Sequence, residues 1–193
     1  MFKNTPFLKY PFGDFALKTL ISLALLCFLG PVKIDFQASI PITLQTLMVL
    51  FAAIAFGRNI GLIAVGGYLL LGLAGVPVFA GKVSGLEVLS GPTGGYLFGF
   101  VMAALVIGHL AEKIEPRQPF HHFGLWIGGH LLIVVLGLIW QLNISGESLN
   151  QSLGLIKLLA QGAMIKSAVG MLAIMLIHRA FTPREAFYSK KTN

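Results

Sequence analysis

Acidic side chains are scarce in this chain, with seven Asp and Glu against fourteen Lys and Arg in 193 residues, and charged residues of both signs make up only 11%. Soluble domains average about 25% charged, so a globule solvated on all sides is excluded. Cysteine is scarcer still. From Cys27 alone, neither a disulfide framework nor a thiolate metal cluster can be built within one chain. Catalytic signatures are missing too, with no His-Glu-x-x-His and no Gly-x-Ser-x-Gly. The one Gly-Lys dipeptide, Gly81-Lys82, is followed by Val83, and Val76 stands where a phosphate-binding loop has its first glycine, so this chain has no such route to ATP hydrolysis. The formal charge of +7 comes without a basic stripe interleaved with aromatics, which argues against nucleic acid.

What is abundant is apolar. Hydrophobic residues make up 56% of the chain and mean hydropathy is +0.84, the composition of an integral membrane protein. Apolar runs fall at about 15–31, 42–57, 60–76, 94–111, 124–141 and 153–180, which predicts an all-α bundle of six transmembrane helices forming one domain over 1–193. The second and third runs are close to the lower limit of roughly 17 residues for a spanning helix, and they are joined so tightly at Gly57-Arg58-Asn59 that they must be antiparallel neighbours. Lys18 ahead of the apolar stretch from Thr19 to Gly30 resembles the start of a signal peptide, but no small-residue cleavage pattern follows, and the stretch is read as part of the first helix.

Glycines four apart, Gly57/Gly61, Gly91/Gly95, Gly95/Gly99 and Gly124/Gly128, predict close helix packing rather than chemistry. Orientation follows from basic residues, which are retained in the cytoplasm. Lys3, Lys9, Lys18, Arg58, Lys113, Arg117, Arg179, Arg184, Lys190 and Lys191 fall on one side; Lys33, Lys82 and Lys157 fall on the other. Both termini are therefore expected in the cytoplasm, in the cell's inner (cytoplasmic) membrane. The loops at 31–40, 79–92 and 143–152 then face outward.

The middle outer loop is rich in Gly and Pro, running Gly75-Val76-Pro77-Val78-Phe79-Ala80-Gly81 and then Gly91-Pro92-Thr93-Gly94-Gly95-Tyr96. Glycine lets backbone approach a ligand and proline fixes its path, so this segment is expected to cover a small molecule. Lys166 stands within the last apolar run, where a helix-centre lysine costs roughly 2.5–3.5 kcal/mol on insertion scales. Snorkelling to the interface would relieve that cost, since Lys157 and Lys166 both lie in the outer half of the run; the other reading is a cation awaiting an anionic ligand or a carboxylate partner. Carboxylates are few nearby, because Asp35 and Glu87 belong to outer loops and Asp14, Glu112, Glu115 and Glu185 to the cytoplasmic side.

Gln45 and Gln161 can each donate and accept, which suits an amide-bearing ligand as well as it suits helix-to-helix bonding. His109, His121, His122, His130 and His178 scatter over both ends of the bundle with no i, i+4 pair, and His121-His122 after Pro119 reads as a solvated turn, so no metal site is expected.

Three segments occurring in order, Ile40-Pro41-Ile42-Thr43-Leu44-Gln45-Thr46-Leu47, Leu73 through Gly81, and Gly91-Pro92-Thr93-Gly94-Gly95-Tyr96-Leu97, resemble the BioY family of biotin transporters over about residues 16–180. The resemblance implies a biotin-capturing S component of an energy-coupling factor transporter, with six helices and a site near the outer surface. It implies as partners the lipid bilayer, a transmembrane T component and two ATP-binding cassette ATPases that supply ATP hydrolysis, with no cofactor and no enzymatic role for the chain itself. A second copy of the chain is a further candidate partner.

Biotin joins a cyclic urea to a thioether ring and an aliphatic carboxylate. Phe79, Val78, Leu86 and Tyr96 would supply apolar cover around the turn at Gly81, Gln45 and Thr43 would pair with the urea, and Lys166 or Lys82 would donate to an oxygen. The chain departs from the family where Gly162-Ala163-Met164-Ile165-Lys166 carries Ala in place of the acid of Gly-Asp-x-x-Lys, leaving Gln161, Gln45, Glu87 or backbone to take over. Lys82-Val83-Ser84-Gly85 lacks an arginine found in some members, whose charge Lys82 would replace, and the first helix lacks the small-residue Ala-xxx-Ala contact, with Ala16 and Ala24 eight apart. Competing readings are an S component for another vitamin, a membrane enzyme acting on a lipid through the buried lysine, and an assembly protein.

Overall fold

The computed structural model describes residues 2, 6–34, 42–114, 119–146 and 153–181. Of the sequence expectations, those on Lys3, Asp35, Ile40, Pro41, Glu115, Arg117, Arg184, Glu185, Lys190 and Lys191, and on most of the first and last outer loops, fall outside these residues.

Most of the described residues are helical. The helices are α1 (Pro11–Leu29), α2 (Gln45–Phe56), α3 (Arg58–Leu73), α4 (Leu86–Ser90), α5 (Gly94–Ala111), α6 (Pro119–Ser145) and α7 (Leu153–Phe181). A two-stranded antiparallel ribbon, β1 (Lys33–Ile34) and β2 (Ile42–Thr43), pairs Lys33 with Thr43. Proline opens both α1 and α6, where its missing N–H would have had no intrahelical partner anyway.

Four of the helices, α1, α5, α6 and α7, are long and apolar enough to cross a membrane. The other two long apolar segments, α2 with 12 residues and α3 with 16, extend only about 18 and 24 Å at 1.5 Å per residue. Both fall short of the roughly 30 Å hydrocarbon core.

α2 is central, packed against α1, α3, α5, α6 and α7. Nine of its twelve residues are buried, so it is apolar all round where an outer helix would carry a single inward stripe. Val49, Leu50 and Ile54 from α2 meet Val65 and Tyr68 of α3, Phe100 of α5 and Ile133 of α6 in one buried cluster. The outer helices keep apolar side chains on their exposed faces, such as Phe12 and Phe28 on α1 and Ile165, Leu172 and Leu176 on α7. In hydrocarbon that exposure costs nothing.

The expected close packing at glycine holds where helices cross. A side chain at Gly61 would strike the Ala53 backbone, at Gly95 the Leu136 carbonyl and Trp140, and at Gly99 the backbone of Ile133. Gly124 and Gly128 depart from the expectation, since side-chain carbons there would meet nothing within 4 Å among the described residues.

Helix ends moved as well. α6 starts at Pro119, five residues before the apolar run, because Phe120 to Phe123 continue the helical path. His121 and His122 therefore sit in its first turns, not in a solvated turn: His121 is exposed, but His122 points inward and is only 3% exposed.

The two ends of the bundle differ. At one end the Phe2 N–H donates to the Ala55 carbonyl at 2.7 Å, and the Arg58 N–H at the start of α3 donates to the Glu112 carboxylate at 2.9 Å. Lys18 is buried there against Asp14 at 2.6 Å, with its ammonium 5.0 Å from the Phe7 ring centroid. The other end gathers the last residues of α1, the ribbon, the segment from Gly75 to Thr93, the end of α6 and the start of α7. It holds a cavity.

Candidate functional site

The cavity measures about 360 Å³, within the usual range of roughly 300–1,000 Å³ for small-molecule sites. It begins where short α2 stops. Thr43 in β2 and Gln45 and Thr46 in the first turn of α2 form its polar floor, at a depth that a longer helix would have filled. Phe79, Ala80 and Val83 cover it from the loop, α5 contributes Tyr96, Leu97 and Phe100, α6 contributes His130, Ile133 and Gln141, and α7 closes the side with Leu155, Leu159, Ala163 and Lys166. Most of the wall is apolar, with a few convergent polar groups.

Local packing holds these side chains in place. The Phe79 ring lies against Gly72 so closely that a side chain there would collide with it, and it meets Tyr68 edge-on at a centroid distance of 5.5 Å. Tyr96 lies over Gly137 of α6 in the same way, and its hydroxyl donates to Gln141 at 3.2 Å. The loop's path is fixed by Gly81 at φ +83° and by the Phe79 N–H donating to the Val83 carbonyl at 3.1 Å. Trp140 Nε1 holds the second half of the loop by donating to the Gly91 carbonyl at 3.0 Å.

The polar floor is a relay. Gln45 Nε2 donates to Tyr68 Oη at 2.5 Å, and Tyr68 Oη donates to the Val78 carbonyl at 2.9 Å, tying α2, α3 and the loop together. With its NH₂ group engaged, the Gln45 amide oxygen is left to accept from a ligand. Lys166 reaches across from α7, and its Nζ donates to Thr46 Oγ1 at 2.7 Å. Among the described residues no carboxylate lies within ion-pair distance of that ammonium. The snorkelling alternative is therefore not the conformation seen.

Five of the nine residues singled out in the sequence line this cavity: Lys166, Gln45, Thr43, Phe79 and Tyr96. The other four do not. Gln161 precedes Lys166 by five residues, which rotates it roughly 140° around α7 and puts it on the exposed face. Lys82 occupies the tip of the tight turn at φ 61°, exposed, while Leu86 opens α4 and is 67% exposed. Gly81 positions the turn without facing the cavity; its α-carbon backs onto the Lys33 side chain.

The sequence reading missed Thr46, Tyr68, His130 and Gln141. His130 carried a detectable signal, a polar ring in the middle of an apolar run. Tyr68 and Gln141 gave none, because their roles depend on partners far along the chain.

The BioY family model matches residues 10–183. Biotin transporter BioY2 of Lactococcus lactis is 40% identical over 124 residues, 63% of this chain and 67% of that protein. Biotin transporter BioY of Rhizobium etli is 30% identical over 151 residues, 75% of this chain and 80% of its own length. With biotin transporter BioY of Thermotoga maritima the identity is 54% over 76 residues, 39% of this chain and only 45% of the relative. In three dimensions the fold superposes on the crystal structure of the S-component for biotin from an ECF-type ABC transporter with a TM-score of 0.73 and 26% identity, covering 92% of this chain and 94% of that one. From residue 10 to residue 183, through the loop and floor that build the cavity, the chain belongs to the BioY family.

Proposed function

We propose that this chain is the biotin-capturing S component of an energy-coupling factor transporter and that the cavity is its biotin site. The observation that carries the reading is a cavity of about 360 Å³ whose apolar walls end in a floor offering a cation at Lys166 and an acceptor at Gln45. Biotin's bicyclic ring and aliphatic tail fit the walls formed by Phe79 and Tyr96. Its urea needs two acceptors and a donor, and the floor supplies Gln45 to accept, Lys166 to donate to the carbonyl oxygen and Thr43 beside them. A urea left unpaired there would cost about 1–3 kcal/mol per group, which selects against fatty acids of similar shape. Gln161, Lys82, Leu86 and Gly81 are left out of this contact set.

The chain forms one domain in which α1, α2, α3, α5, α6 and α7 cross the cytoplasmic membrane, with α2 and α3 short. Both termini are cytoplasmic. Clustering of Lys18, Arg58 and Lys113 at the end opposite the cavity supports an outward-facing site. A T component and two ATPases supply the energy, and the chain itself catalyses no reaction. Titrating biotin into the purified chain in detergent tests the reading: saturable binding at one site per chain, not displaced by other vitamins, is expected. A chain that retains no biotin, or that exchanges it freely for a different vitamin, overturns it.

A further inference from the structure

His130 sits midway along α6 and is 1% exposed. A buried imidazole is costly unless its nitrogens find partners. One nitrogen does, since Nδ1 lies 2.9 Å from the Trp126 carbonyl oxygen and 3.1 Å from Ser167 Oγ. A carbonyl oxygen can only accept, so Nδ1 carries the proton, and a neutral ring then has a lone pair at Nε2. A second proton would place an imidazolium in the same cavity wall as the Lys166 ammonium, where like charges repel far more strongly than in water.

Nε2 is buried and has no partner among the described residues. The bond to Ser167, the residue after Lys166, holds the ring at the level of that ammonium. Ala163, one turn earlier on the same wall, offers no acceptor of its own.

A cyclic urea asks for two acceptors; the floor offers the Gln45 amide oxygen and the weaker Thr43 hydroxyl, and His130 in the α6 wall of the same cavity carries a nitrogen acceptor without a donor among the described residues. We propose that His130 Nε2 accepts one urea N–H of the bound ligand, making His130 a specificity-determining residue for ligands that carry two N–H groups flanking a carbonyl. This rests on the reading of the cavity as a biotin site.

The test uses the full chain and biotin. His130→Phe keeps a ring of similar size but removes the acceptor, and is expected to weaken binding by about 10- to 100-fold. His130→Gln, whose amide reaches about as far as Nε2, is expected to recover most of that loss. Wild-type chain that binds biotin while His130→Phe binds it within about twofold overturns this inference and leaves the biotin reading standing. Wild-type chain that binds no biotin overturns both. If His130→Phe fails to fold, or if both variants lose binding equally, the ¹⁵N resonances of the histidine-labelled wild-type chain decide, with His130→Gln spectra assigning His130. A shift of the Nε2 resonance on adding biotin, with Nδ1 unmoved, supports the inference, and an Nε2 resonance that ignores biotin overturns it.

Discussion

Lys18 and Lys166 are two lysines in apolar helices at opposite ends of the bundle, and the protein treats them differently. Lys18 is 1% exposed, paired with Asp14 at 2.6 Å and stacked on Phe7. The Asp14 carboxylate is itself completed by the backbone N–H groups of Phe7 and Leu8 at 2.5 and 3.2 Å. The Lys18 charge is closed within the protein. Lys166 has a neutral hydroxyl for company, faces a cavity, and shares its wall with His130, whose Nε2 has no partner among the described residues. A membrane chain does not carry such an arrangement cheaply. The difference separates a lysine whose charge is paired within the fold from one whose charge is left facing a cavity.

Removing each lysine's chemistry should break the protein in a different way. Lys166→Ala is expected to have the largest effect, because hydrogen bonds to a charged group are worth about 1.5–3 kcal/mol, or roughly 10- to 150-fold in biotin affinity. Its thermal stability should hold or rise, since an uncompensated buried cation is gone; a titration and a melting curve read both. Gln45→Ala comes next. It deletes a neutral acceptor and leaves Tyr68 without its donor, so about a threefold to tenfold loss of affinity is expected.

Asp14→Asn should reverse the pattern, lowering Tm while biotin affinity stays within about twofold of wild type, because it uncouples Lys18 far from the cavity. Equal damage to affinity from Asp14→Asn and Lys166→Ala would erase the distinction between the two ends. Lys82→Ala should do least, with affinity again within about twofold, since its side chain is exposed at the tip of the turn and does not line the cavity.

Much of this site was legible in the sequence where a residue paid an obvious physical cost. A lysine within an apolar run and a Gly/Pro-rich break between two spans both demand explanation, and Lys166, Phe79 and Tyr96 do line the cavity. Gln161 shows where the reading stopped short. Helical rotation over five residues already separates it from Lys166, whereas Ala163 and Leu159, three and seven residues before Lys166, share its face. Lys82 was misplaced for a different reason, since a positive φ at a non-glycine residue in a tight turn is not readable from composition.

The shortness of α2 was anticipated only in part. The apolar run starts at residue 42, but the helix begins at Gln45 because Ile42 and Thr43 pair with β1, which leaves Thr43 in the floor. Thr46 and Tyr68 became visible only with the fold, since each acts through a partner brought close by tertiary packing.

The most direct measurement is a structure of the chain with biotin bound. The bicyclic ring is expected between Phe79 and Tyr96, with the urea within hydrogen-bond distance of Lys166 Nζ and the Gln45 amide oxygen. Biotin seated elsewhere, or Lys166 turned out toward lipid with biotin in the cavity, would contradict it.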